Sequence, residues 1–330
     1  MKLALVGNRG HLEYVLSGLP LLPEVEIVAI TSGSQDDDVN PLLAESLQTG
    51  FQPEVFTDYL ALLDVVKPDV VSLCGPFEQH TGMSIEALQR SIHVFCEKPV
   101  SLNLNELEKL RNVLVGKPEV HFSAMMGLRY NPAFYTAWGL VQQGAIGKVR
   151  LLNGQKSYKL GVRPDYYRQR ETYGGTIPWV GSHAIDWIHW FSQAQFLSVS
   201  AYHSTLGNRG LGTLEATALC QFKLTDDIMA SVTVDYLRPS QSTTHGDDRL
   251  RVVGTEGVVE VRHGEVFLIN SGGEQNPAVA CERQIFVDFI HQIQGKTKSL
   301  LQPGDILSVT EACLLARQSA DEGREIFFRR

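Results

Sequence analysis

Lys98 stands at the carboxyl end of a short apolar stretch, in the segment His93-Val94-Phe95-Cys96-Glu97-Lys98-Pro99. In an open parallel α/β sheet, that end of a strand is where ligands bind. A lysine placed there can hydrogen-bond an oxygen that gains negative charge during a reaction. Farther on, Gly174-Gly175 leads through Pro178 and Trp179 to Gly181-Ser182-His183-Ala184-Ile185-Asp186-Trp187. His183 and Asp186 are three apart, so a helix presents an imidazole and a carboxylate on one side, and Trp187 and Trp190 extend that stripe. A neutral imidazole is a proton acceptor near pH 7. The bland reading of the stripe is an aromatic core face that holds His183 as a satisfied histidine. His189 and His291 read as packing histidines.

A third group of residues follows the first apolar run. Gly7-Asn8-Arg9-Gly10 sits where backbone N–H groups can approach a pyrophosphate at a helix start. The spacing is GxxG, with His11 and Leu12 where GxGxxG would continue, so the segment also reads as a plain tight turn. The ribose-reading position, after the second strand, holds Thr31-Ser32-Gly33-Ser34 and no acid. Small hydroxyl residues around Ser32 leave room for a 2′-phosphate that Arg9 would reach, whereas the nearby Asp36-Asp37-Asp38 run opposes one. NAD and NADP both stay open. The acidic run is most simply a solvated loop, and Glu97-Lys98-Pro99 taken alone reads as a surface turn.

The elements that position these groups come from the pattern of apolar runs. Leu3–Val6, Val25–Ile30, Asp69–Leu73, His93–Cys96 and Val120–Ser123 read as strands, and segments 11–19, 59–66, 81–90 and 104–114 as helices. Thr57 is the expected cap of the helix at 59–66, and Asn103 with Glu106 makes a capping box before Leu104. Strands alternating with helices imply a parallel sheet covered on both faces, a doubly wound dinucleotide-binding domain over 1–124. Beyond it, a helix at 132–143, a strand at 148–158 and a helix at 182–192 precede strands at 197–202, 215–222, 228–236, 249–254, 257–262 and 265–269. Helices return at 283–294 and 303–322. Runs of strands without helices between them predict a mostly antiparallel sheet in a second α/β domain, 125–330.

Composition narrows the function classes. The chain has 330 residues, enough for two domains. Its formal net charge of −8 and the absence of a dense basic run argue against a nucleic-acid partner. No apolar stretch approaches the roughly 20 residues that span a bilayer. Five cysteines are scattered, odd in number and never in CxxC spacing, which fits a reducing cytoplasm better than a disulfide framework or a zinc site. The reading is a cytoplasmic protein with no membrane partner and no metal.

The pieces in this order resemble the glucose–fructose oxidoreductase/inositol dehydrogenase/rhizopine catabolism (Gfo/Idh/MocA) family over nearly the whole chain. The likeness rests on Val71-Ser72-Leu73-Cys74-Gly75-Pro76 with His80, on Glu97-Lys98-Pro99, and on Gly127-Leu128-Arg129-Tyr130-Asn131-Pro132. It continues through Gly144-Ala145-Ile146-Gly147-Lys148-Val149, the stretch from Gly174 to Asp186, and the tail with Phe286-Val287-Asp288-Phe289-Ile290. It implies a Rossmann domain, then an α/β domain whose open sheet builds a homodimer or homotetramer. It also implies an NAD(P)-dependent oxidoreductase acting on a ring hydroxyl, or the matching ketone, of a sugar, cyclitol or glycoside. Carried over residue by residue, Lys98 and His183 are the catalytic pair and Asp186 contacts substrate. Cys74, Gly75, Pro76, His80, Glu97 and Lys98 join Gly7, Asn8, Arg9, Gly10 and Ser32 around the cofactor. Trp179, Arg129, Tyr158, Tyr167 and Arg168 are expected around the substrate.

Two departures accompany the likeness. The inositol dehydrogenase pattern has an aspartate four residues before the histidine, and here Trp179 stands there. Either Asp186 replaces that carboxylate, or Trp179 forms an apolar wall for a sugar ring. The glycine turn is the other departure. Two further readings accompany the dehydrogenase: an NAD-dependent glycoside hydrolase or lyase working by transient oxidation and elimination, and a non-catalytic nucleotide- or sugar-binding regulator.

Overall fold

The computed structural model describes residues 1–34 and 37–329, so Asp36 of the expected solvated loop lies outside the described residues. Leu3, Leu5 and Val6 have no solvent exposure, and neither does Ala4 between them. A strand with no in–out alternation must be covered on both faces, which is the signature of a parallel sheet interior. The strands of that first sheet are β1 (Lys2–Val6), β2 (Glu26–Thr31), β3 (Glu54–Phe56), β4 (Val70–Leu73), β5 (His93–Cys96) and β6 (Phe122–Ala124). They run in the order β3-β2-β1-β4-β5-β6, all neighbours parallel. The order reverses direction at β1 and β4, the switch point where dinucleotides bind in this kind of fold.

Caps follow the sequence with one change. Asn103 accepts the Glu106 N–H at 2.9 Å, as the capping box predicts. The helix Tyr59–Val66 is capped by Asp58, not Thr57: the Asp58 carboxylate accepts the Ala61 N–H at 2.6 Å. An ionised oxygen next to the positive helix end wins over a neutral hydroxyl one residue earlier.

The chain divides into two compact units, and the division differs from a single cut at 124. The first contains residues 1–127 and 283–307, the second 128–282 and 308–330. The return of 283–307 has a packing cause. In the helix Ile285–Ile293, Phe286 and Phe289 bring their rings within 5.2 and 5.4 Å of Phe95 on β5. Each buried ring contributes about 1.5–3 kcal/mol.

The second unit carries β7 (Val149–Tyr158), β8 (Phe196–Ser204), β9 (Thr217–Leu224), β10 (Met229–Asp235), β11 (Gly246–Gly254), β12 (Gly257–Arg262), β13 (Glu265–Asn270), β14 (Gly273–Gln275) and β15 (Ile326–Phe327). Their order is β14-β13-β12-β11-β7-β10-β9-β8-β15. Only β7 and β10 pair parallel; every other pair is antiparallel. Along β7, Leu152, Gly154 and Lys156 are buried while their neighbours are half-buried. The helix Ser182–Ser192 covers the buried face so closely that a Cβ on Gly154 would lie 3.2 Å from the Cβ of Ala184. Glycine at 154 is therefore what lets this helix settle on the strand. The cysteines are all free, and no helix of the described residues is long and apolar enough to cross a membrane.

Candidate active site

In the first unit the turn after β1 is built for close approach. Gly7 and Gly10 have φ of +71° and +90°, the region where side chains are strained. A Cβ on Gly7 would strike the Cys74 carbonyl, and one on Gly10 the Glu97 carboxylate. The Arg9 N–H donates to the Cys74 carbonyl at 2.8 Å, tying the turn to the end of β4. Asn8 beside it is exposed.

Glu97 anchors this turn. It has no exposure. One carboxylate oxygen accepts from the His11 N–H at 2.5 Å and meets His11 Nδ1 at 2.7 Å, while the other accepts the Lys98 N–H at 2.8 Å. Burial raises its pKa, but the opposing pull of His11, then Lys98, leaves the carboxyl below its ordinary range. The sequence reading missed His11; its position just after the second glycine, where the fingerprint breaks, was the available signal.

His80 supports the neighbouring turns through both of its ring nitrogens. Fully buried, it sets Nδ1 3.0 Å from the Pro99 carbonyl and Nε2 3.1 Å from the Gly75 carbonyl. Burial lowers its pKa against the pull of those carbonyls, so the ring bridges two turns. Between them Lys98 is 2% exposed, and the Lys98–Pro99 peptide is cis. Cys74 buries its thiol, which donates to Met125 Sδ at 3.8 Å, and desolvation pushes that thiol well up. It meets the glycine turn through its backbone carbonyl alone. Pro76 opens the following turn by accepting the Gln79 N–H at 2.9 Å, and Gly75 leaves room before Met83.

Beside these turns lies a cavity of about 570 Å³, lined by Thr31, Gly33, Ser34, Tyr59 and Met83 among others. Asp58, Glu78, Glu86 and Glu106 line it, and no lysine or arginine does. Glu78 Oε2 is buried there without a hydrogen-bond partner. An acceptor of this kind fits a ligand that brings a hydroxyl or amino donor. Ser32 turns its hydroxyl to the Ser34 carbonyl at 2.5 Å. Arg9 pairs with Asp37 at 2.7 Å. The acidic cavity fits a hydroxyl-bearing nucleoside, and the side-chain-free turn at Gly7 and Gly10 leaves backbone open to a phosphate.

In the second unit, the π-helical turn Ile177–Gly181 runs into the helix Ser182–Ser192. Such turns mark functional segments in many folds. Thr176, just before it, donates its N–H to Glu215 at 2.9 Å, and Glu215 is ion-paired with Arg170. His183 lies in the first turn of the helix, 5% exposed. Asp186 does not stand open beside it. Arg129 Nε is 3.1 and 3.0 Å from the two Asp186 oxygens, and Nη2 is 2.6 Å from one of them. Both residues are about 2% exposed at their side chains. Arg129 is therefore a buried partner of Asp186, not a rim residue, and its guanidinium also sits 5.5 Å over the Trp190 ring.

Trp179 is buried with its ring edge-on to Tyr167 at 6.0 Å. The Tyr158 and His245 rings lie 5.3 Å apart, tilted by 35°, and Lys156 Nζ lies 4.7 Å from the Tyr158 ring centre. Arg168, next to Tyr167, is exposed, paired with Asp165 at 2.8 Å and bonded to the Gly210 carbonyl. Lys156 was missed. A lysine at an inward position of an alternating strand was the signal.

The first unit matches, over residues 4–123, the signature described as an oxidoreductase family with an NAD-binding Rossmann fold. The second matches the GFO/IDH/MocA C-terminal domain over 134–260. A solved structure from Thermotoga maritima, described only as an oxidoreductase, is 45% identical over 99% of this chain and 100% of its own, with a TM-score of 0.96. The chain belongs to the Gfo/Idh/MocA oxidoreductase family. Among its relatives, the uncharacterized oxidoreductase YrbE of Bacillus subtilis is 28% identical over 72% of this chain and 66% of its own length. Levoglucosan dehydrogenase of Pseudarthrobacter phenanthrenivorans is 26% identical over 56% of this chain and 47% of its own. The matched stretch thus spans between about half and two thirds of these relatives.

Proposed function

We propose that the protein is an NAD-dependent oxidoreductase acting on a ring hydroxyl, or the matching ketone, of a sugar, cyclitol or glycoside. The observation that carries this is the anchored turn: Glu97 fixes the residue after Gly10 and also the backbone of Lys98. One buried carboxylate thereby joins a phosphate-binding turn to a cation. The sugar class is supported by the levoglucosan dehydrogenase among the relatives.

NAD rather than NADP is supported by charge. A 2′-phosphate brings nearly two negative charges. The cavity offers it four carboxylates and no cation of its own, and the adjacent Arg9 is already matched to Asp37. A free ribose hydroxyl, by contrast, is a donor that Glu78 can accept.

Bound NAD supplies the hydride acceptor for oxidation and, when reduced, the donor for the reverse. The chain supplies the proton chemistry. His183 serves as acceptor of the hydroxyl proton, and Lys98 as a hydrogen-bond donor to oxygen that gains negative charge. Arg129 neutralises Asp186, so the carboxylate one turn from His183 stays in a fixed place. Trp179 contributes an apolar ring to the substrate side.

The test is NADH formation from NAD with a panel of polyols and sugars. Lys98→Met and His183→Ala should each lower kcat by roughly 10²–10⁴-fold while NADH binding persists. Full activity in both variants would refute these roles.

A further inference from the structure

Arg163 stands out in the second unit. Its guanidinium lies 5.3 Å from the centre of the Tyr167 ring and 4.9 Å from that of Tyr236. Among the described residues it forms no ion pair and no hydrogen bond, and its Nε is buried without a partner. An arginine normally satisfies its five N–H groups on carboxylates or carbonyls. Here two aromatic faces hold the planar fork in place and leave its donors unused.

The surroundings carry the same sign. Lys156, with no exposure, gives one hydrogen bond to Asp248 and lies over the Tyr158 and Trp187 rings. Lys159 donates to the Ser242 carbonyl. His245 lies tilted against Tyr158, and its pKa is held down by burial first, then by Arg163 and Lys159, with Asp248 opposing. The acids of the neighbourhood are matched elsewhere: Glu215 by Arg170, Asp186 by Arg129, Asp247 by Arg249 and Arg238. Asp248 answers Lys156 alone.

The cluster connects to the candidate chemistry through packed side chains of this unit. Arg163 covers Tyr167, and Tyr167 meets Trp179, four residues before His183. Tyr236 follows β10, whose Val234 would lie 3.3 Å from a Cβ on Gly181.

We propose that Arg163 is the anion-binding residue of the substrate site, and that the substrate is a negatively charged sugar bearing a carboxylate or phosphate. A planar guanidinium with two open N–H groups fits either group in a two-point contact. The open guanidinium, with Lys159 near His245 on the same side, favours such a ligand over its neutral parent. This reading rests on the sugar oxidoreductase function proposed above.

The experiment has a binding arm and a turnover arm. Binding is followed by tryptophan fluorescence with gluconate, galacturonate, glucose 6-phosphate, and neutral galactose and myo-inositol. The expected result is saturable binding of at least one anionic sugar, tighter than its neutral counterpart by about 10- to 100-fold, and loss of that margin in Arg163→Gln. Arg163→Lys should recover part of it. In turnover with NAD, the same substitution should raise KM for the anionic substrate and leave NADH binding unchanged. Gluconate and galacturonate against glucose 6-phosphate decides carboxylate or phosphate. Tighter binding of neutral sugars, no binding of any anionic probe, or an Arg163→Gln variant with an undiminished anion margin would overturn the proposal. Anion binding that depends on Arg163 without any NAD reduction would keep this subsite and refute the oxidoreductase reading instead.

Discussion

Removing one member of the Arg129–Asp186 pair should cost far more than removing both. The side chains are about 2% exposed, and three N–O distances of 2.6–3.1 Å join them. In Asp186→Leu the guanidinium stays buried over Trp190 with its counter-charge gone; in Arg129→Met the carboxylate is stranded. Breaking a buried pair from one side costs about 3–5 kcal/mol, roughly two to three and a half decades in the unfolding equilibrium. The double variant Arg129→Met/Asp186→Leu loses the attraction and both desolvation costs together, so it should lie within about 1 kcal/mol of the parent. Urea unfolding followed by tryptophan fluorescence reads this directly. The four tryptophans, Trp138, Trp179, Trp187 and Trp190, all lie in the second unit with the pair. Single variants that each cost less than about 1 kcal/mol, as an exposed pair would, refute the reasoning. So does a double variant no more stable than the singles.

In the first unit, the His121 N–H donates to His93 Nδ1 at 2.9 Å, and burial, then the neighbouring His121, lowers the pKa of His93 to about 4. The unfolded chain takes that proton near 6.5, so between 6.5 and about 4 it binds more protons than the native state. Stability therefore falls as pH drops through this window, and His93→Asn should flatten the fall in thermal melts recorded by circular dichroism between about pH 7 and pH 5. An unchanged slope would exclude His93 as a source. Gly10→Val places a branched side chain at φ +90° against Glu97. It should weaken NADH binding at least about tenfold. The tryptophan-monitored transition of the second unit should not move. Retained NADH affinity would mean the turn does not touch the cofactor.

Much of the first unit was legible because a parallel sheet writes itself as unbroken apolar runs. His93–Cys96 and the helix Ser182–Ser192 coincide with the sequence reading. The edge strand β3 did not stand out, since only three residues form it and two are exposed. Nor did the return of 283–307, which depends on Phe286 and Phe289 finding Phe95 nearly 200 residues away in the chain. The site divides along the same line. Lys98 and His183 stand out as candidates because each sits at a recognisable strand or helix end. Arg129 and Asp186 are 57 residues apart, and nothing local marks them as partners. Glu97 and His80 belong to motifs that name a region, while their roles as an anchor and a bridge emerge only from what their polar atoms touch. Arg163 lies in a loop with no motif, and its meaning comes from the two tyrosines that hold it.

NAD binding by the first unit is tested by titrating the purified protein with NADH and, separately, NADPH, read by nucleotide fluorescence. Saturable NADH binding is expected, with NADPH weaker because its added phosphate would meet Asp58, Glu78, Glu86 and Glu106. Tighter NADPH would contradict the charge argument built on that cavity and on Asp37. Binding of neither nucleotide would contradict the oxidoreductase reading itself.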